Sequence, residues 1–134
     1  MPSAGARKNV HGSRLEPKLI TQSEPGFAGG AAALVKLVAA GADAIFFAGD
    51  VLAIGAVLEC QRRGWTIPDR VAIASFDDHE IAVQMTPALT TLKLPRYEIG
   101  RRAAKLIVDR NNAVENAEPA INDLGFEVIA RQST

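Results

Sequence analysis

Continuous apolar runs and one-sided apolar stripes alternate along this chain. Ala44-Ile45-Phe46-Phe47-Ala48 and Val71-Ala72-Ile73-Ala74 are unbroken apolar runs, the pattern of strands covered on both faces in a parallel sheet. Between them residues 51–63 predict a helix, with Asp50 as its N-cap and Gly64 as its stop. The two strands start roughly 27 residues apart, which suits a crossover through one helix. Val51, Leu52, Ala53, Ile54, Ala56, Val57, Leu58 and Cys60 cover nearly the whole circumference of that helix. A helix apolar all round is buried on two sides. One side faces the sheet, and the other calls for a partner such as a second subunit.

Upstream, Leu19-Ile20-Thr21 is a short strand candidate, and Ser23 with Pro25 marks a helix start. Residues 27–40 follow as a helix with Phe27, Ala31, Leu34, Val35 and Val38 on one stripe and Gly41 as its end. Gly26, Gly29 and Gly30 do not make a phosphate loop, because the Lys-Ser/Thr pair that the nucleotide-binding type needs is absent. Downstream, residues 79–85 predict a short helix or turn, and residues 87–95, bounded by prolines, an extended segment. Residues 96–110 form a one-sided helix with Ile99, Ala103, Leu106 and Ile107 in register. Residues 115–119 are a polar loop and 124–130 a final strand. The order predicts an α/β fold, a three-layer doubly wound parallel sheet.

Composition narrows the function more than the fold. The chain has 134 residues, with 15 basic and 15 acidic side chains balancing to a net charge of +0. Neither a nucleic-acid surface nor an acidic-membrane surface is expected on it. Four of the basic residues, Arg7, Lys8, Arg14 and Lys18, fall in residues 1–18, read as a disordered basic arm. A lone cysteine, Cys60, excludes an internal disulfide and fits a reducing compartment. No apolar run approaches membrane-spanning length. The first residues also lack the compact apolar core of a signal peptide, so the cytoplasm is the expected location.

Chemistry concentrates at the strand ends. Asp50 follows the first strand, Asp77 and Asp78 the second, and ligands of parallel sheets bind beyond the carboxyl ends of strands. Gly49, Asp50 and Asp77 are therefore candidate binding residues. Asp77-Asp78-His79-Glu80 is not a metal centre, since four consecutive side chains do not converge on one ion. A phospho-accepting receiver domain would need its acidic pair after the first strand. No Ser-His-Asp or Cys-His arrangement is visible. Neither an enzyme, a metal nor a cofactor is expected.

Three blocks in order carry a resemblance. DAIFFAGDVLAIGAV at residues 43–57, IPDRVAIASFDD at 67–78 and PALTTLKLPRYEIGRRAA at 87–104 resemble the patterns "aDAifcaNDvlAiGal", "iPdDvavvGFDD" and "PpLTTvrqPryeiGrrAa" of LacI/GalR-family transcriptional regulators. LECQRRG and the closing DLGFEVI are similar to the gluconate-repressor branch in particular. The resemblance spans residues 19–134. It implies an incomplete periplasmic-binding-protein-like type I effector domain, comprising the C-terminal subdomain and the crossover helix 96–110. DNA would be bound only through a helix-turn-helix head that this chain does not contain.

Residue by residue, the effector-contacting carboxylate of the GFDD block corresponds to Asp77. The usual Asn before the strand-end Asp is Gly49 here, and the GFDD glycine is Ser75. The position of a ligand-stacking aromatic falls near Thr21 or Gln22, which are polar and suit a flexible, hydroxyl-rich ligand. The resemblance thus implies a sugar or sugar-acid effector held by Asp77, Gly49, Asp50 and Gln22. It also implies a homodimer whose interface includes Val51, Ile54, Val57 and Leu58. The other reading is a dimerisation-only fragment, or a remnant, that binds no ligand. A secreted solute-binding protein is a structural relative of this pattern.

Overall fold

The computed structural model describes residues 19–112 and 121–134, so the basic arm expected at 1–18 and the loop at 115–119 lie outside the described residues. Among the described residues eight elements follow one another: α1 (Phe27–Ala39), β1 (Ala44–Phe46), α2 (Asp50–Arg63), β2 (Ala72–Phe76), α3 (Ile81–Gln84), β3 (Thr90–Lys93), α4 (Arg96–Asn112) and β4 (Glu127–Ile129). The strands form one sheet in the order β1-β2-β3-β4. β1 pairs parallel with β2, and β2 parallel with β3, whereas β4 closes the edge antiparallel to β3. The sheet is therefore mixed and parallel-dominated. Leu19-Ile20-Thr21 is not a strand, because none of it pairs into the sheet.

The core lies on one face of the sheet. Ile45, Ile73 and Leu89 meet Ala53, Val57 and Cys60 of α2, and Leu34 of α1 packs behind them. Fully burying each Leu, Ile or Val contributes roughly 1.5–3 kcal/mol. On the opposite face Phe46 is 56% exposed, and Ala72, Ala74 and Phe76 are only half-buried. The expectation of strands covered on both faces thus holds for one face among the described residues.

The buried stripe of α1 differs from the predicted one. Gly29, Gly30, Ala33, Leu34 and Leu37 are buried, while Phe27 is exposed. The cause is a close helix crossing. A Cβ at Gly30 would overlap the Leu52 carbonyl, and one at Gly55 would overlap the Phe27 carbonyl. Small residues let the two backbones touch, and that contact turns α1 onto its glycine side. The helix also starts at Gly26 rather than Ser23, with φ +92° and no side-chain cap bond.

The end of α2 matches its sequence signal. Gly64 is left-handed (φ 66°) and donates to the Cys60 and Gln61 carbonyls. Beside it, the hydrogen bond from Arg63 holds the Glu59 carboxyl below its ordinary range, burial opposes this, and the charges of Arg62 and Arg63 add to the lowering. α4, with Ile99, Leu106 and Ile107 exposed, shows its apolar stripe to solvent along its length.

Candidate functional site

Beyond the carboxyl ends of β1 and β2 lies a cavity of about 640 Å³, a size typical of small-molecule sites. Its wall combines the start of α1 (Pro25, Gly26, Phe27), the loop after β1 (Ala48, Gly49), the first turns of α2, and Asp77, His79, Glu80 and Ile81 after β2. The topology explains the meeting: both loops leave adjacent parallel strands at the same edge. The structure brings Gly49, Asp50 and Asp77 together here. Gln22 is not among them; it is exposed and lines a neighbouring groove with Glu24, Gly29 and Lys36.

Asp77 is the half-exposed carboxylate of this wall, with 47% of its side chain accessible. Its φ is 121° and that of Asp78 is 50°. Two successive non-glycine residues at positive φ cost roughly 1–3 kcal/mol each and persist only where the surroundings impose them. The surroundings do so. Asp77 N–H donates to the Leu92 carbonyl (3.0 Å), and Asp78 N–H to Thr91 Oγ1 (3.2 Å). Arg96, the first residue of α4, donates from Nη2 to the Asp77 carbonyl (2.5 Å) and from Nη1 to Asp77 Oδ1 (3.3 Å). Arg131 pairs with Asp78 Oδ1 at 2.7 Å, so Asp78 is committed to the fold while Asp77 keeps an open side.

Asp50 departs from the capping role predicted for it. The N-cap residue is Gly49, and Asp50 makes no side-chain cap bond. Its carboxylate points into the sheet and is only 4% exposed. Oδ1 accepts from Ser75 Oγ and from Thr91 Oγ1 (3.3 Å), and Oδ2 accepts from His79 N–H (2.6 Å). A buried carboxylate is tolerable only when its lone pairs are occupied in this way.

Of the residues read as an interface, Ile54 and Val57 are buried within the chain's own core. Val51 and Leu58 remain 50% and 42% exposed on the outer side of α2. A groove of about 560 Å³ beside Leu58 runs between α1 and α2, past Phe27, Ala31 and Gly55.

Sequence reasoning missed Ser75, Thr91, Arg96 and Arg131. One signal was available. Ser75 shares a strand face with buried Ile73, and a hydroxyl placed there needs a partner. Arg96 and Arg131 carry no local signal, since their partners lie 19 and 53 positions away. Among the described residues no group of three His, Cys, Asp or Glu side chains is placed to hold a metal ion, and no helix is long and apolar enough to cross a membrane.

Residues 3–134 match the periplasmic binding protein-like domain. The chain is 40% identical over 92 residues to the HTH-type transcriptional regulator GntR of Pseudomonas aeruginosa, covering 69% of this chain and 26% of that protein. It is 34% identical over 125 residues to the transcriptional repressor CytR of Escherichia coli, covering 92% of this chain and 36% of that one. It thus spans about a quarter to a third of the length of these relatives. Among solved structures, a LacI-family regulator from Enterococcus faecium with bound ribose superposes with a TM-score of 0.72 at 28% identity, covering 84% of this chain and 41% of that one.

Proposed function

The chain belongs to the LacI/GalR family, within its periplasmic binding protein-like domain, and from that premise we propose that it senses a sugar or sugar acid through Asp77. The observation that carries this reading is the half-exposed Asp77 carboxylate, held in a strained turn on the wall of a cavity of about 640 Å³. A carboxylate accepts paired hydrogen bonds from adjacent hydroxyls, the recognition a polyol requires. Gly49 leaves open space beside it, with nothing within 4 Å of where a Cβ would stand. The work is binding rather than catalysis. It takes place in the cytoplasm, in a homodimer, and DNA is engaged through a helix-turn-helix head outside this sequence.

Thermal denaturation of the purified chain with D-gluconate, related sugar acids and neutral sugars tests this reading. A cooperative transition raised by one of them, and not raised after Asp77→Asn, is the expected result. A second reading, a dimerisation module without an effector, is favoured by Val51 and Leu58 on the outer side of α2. A dimer by sedimentation whose transition no sugar or sugar acid shifts would select it.

A further inference from the structure

We propose that Asp50 is a positioning residue for the Asp77 site: its buried carboxylate fixes the turn at residues 77–79 that carries the ligand-facing side chain. This rests on the effector reading of Asp77, and deepens it by naming what holds that residue in place. Asp50 sits in the first turn of α2, where a carboxylate is favoured by the helix dipole even when fully exposed. Helix electrostatics therefore do not account for a side chain that is 4% exposed and bonded to two strands.

The bonds reach the turn by two routes. Directly, Asp50 Oδ2 accepts from His79 N–H at 2.6 Å. Indirectly, Thr91 Oγ1 donates to Asp50 Oδ1 at 3.3 Å and accepts from Asp78 N–H at 3.2 Å. Asp50 thus ties down the amide of His79 and, one hydroxyl removed, that of Asp78. Asp78 shares the positive-φ region with Asp77, and His79 is the residue at which the chain leaves it. A strained conformation lasts only while its neighbours over-determine it, so releasing these two amides lets the Asp77 backbone leave its strained state. Asp77 then no longer presents its carboxylate along one direction, and a ligand must reorder the turn on binding.

The test uses the full chain and three substitutions. Asp50→Asn keeps the size of the side chain but cannot satisfy Ser75, Thr91 and His79 together. Thr91→Val cuts only the indirect route and serves where the Asn variant fails to fold. Ser133→Ala removes an equally buried partner of Ile73 and Thr90 away from the turn. Amide hydrogen exchange followed by NMR is the first readout and D-gluconate affinity the second. The expected result is exchange at least about tenfold faster at Asp78 and His79 in Asp50→Asn, and at Asp78 in Thr91→Val. Core amides such as Val57 and Ile73 stay within about twofold, and gluconate binding weakens at least about tenfold; Ser133→Ala leaves the turn amides and the affinity unchanged. Unchanged turn exchange, or the same pattern in Ser133→Ala, overturns the proposal. Asp77→Asn separates the two ideas. Binding that survives it, or an unsubstituted chain that binds neither D-gluconate nor any of the related sugar acids and neutral sugars, removes the effector reading, while the exchange data still decide the role of Asp50.

Discussion

Arg131 and Asp78, 53 positions apart in sequence, form an ion pair at 2.7 Å with both side chains more than four-fifths buried. The same guanidinium donates to the Leu89 carbonyl at 2.8 Å. The pair fastens the end of the chain to the turn that carries Asp77. Breaking such a pair leaves a charge without its partner in a place water reaches poorly. Arg131→Ala is therefore expected to lower stability by about 2–3 kcal/mol, towards the lower end for buried pairs because some solvent access remains. Urea denaturation checks this. A double-mutant cycle with Asp78→Ala should return a coupling above about 1 kcal/mol, and additive effects would show that the two residues act separately.

The crossing of α1 and α2 leads to a prediction opposite to helix propensity. Replacing a mid-helix glycine by alanine ordinarily gains up to about 1 kcal/mol. At Gly30 and Gly55 the new methyl would overlap a carbonyl of the facing helix, and backbone cannot move aside as a flexible side chain can. Gly30→Ala and Gly55→Ala are each expected to cost about 2 kcal/mol or more net. Melting temperature against the unsubstituted chain measures the sign, and an increase would remove the close crossing.

These two cases mark what was legible in the sequence. The apolar runs placed β1 and β2, Gly64 ended α2 where expected, and Asp77 could be placed at the sheet edge where β1 and β2 end, on the wall of the cavity there. A stripe of Ala, Val and Leu on α1 fits more than one face, so its direction was settled by the glycine crossing, a contact between segments. The same limit applies to Asp50. A strand-end aspartate before a helix has the local signature of a cap, and only the fold brings Ser75 and Thr91 within its reach. β4 could be recognised as a strand, but its antiparallel direction follows from how the chain returns after α4.

Gly49 stands where the family pattern has Asn, and it is the N-cap of α2 with no side-chain cap bond. A Cβ there meets nothing within 4 Å. Gly49→Asn is expected to stabilise the chain by about 0.5 kcal/mol, through a cap bond and a less flexible unfolded chain. Calorimetry would register a rise of about 2 °C. A fall would mean that the loop after β1 is tighter than it looks.

Burial pushes the Cys60 thiol from 9.0 up to about 11, and the negative charge of Glu59 adds to the rise. A raised folded value means that the folded chain favours the neutral thiol. The associated stability is fully present below pH 9 and is lost as the pH climbs towards about 11. Cys60→Ala is expected to flatten the alkaline decline in stability between those values. At pH 8 an alkylating reagent should label native Cys60 on the order of 100-fold more slowly than the unfolded thiol, from thiolate fraction alone. Equal rates would show that the thiol is open to solvent.

The proposed subunit interface can be tested only at residues the chain does not use for its own core. Val57 is completely buried and Ile54 nearly so. A charge at either would report on folding rather than association, because it would strand an unpaired ion among Leu34, Ala53 and Ile73. Leu58 is 42% exposed on the opposite side of the same helix, so a carboxylate there reaches water in the monomer. In a symmetric dimer each substitution would be present twice across the contact. Leu58→Glu is accordingly expected to leave the melting transition cooperative, and to raise the dimer dissociation constant at least about 100-fold, or roughly 3 kcal/mol. Sedimentation velocity across a concentration series measures this. An unchanged oligomeric state, with the variant still folded, would move the interface away from the outer side of α2.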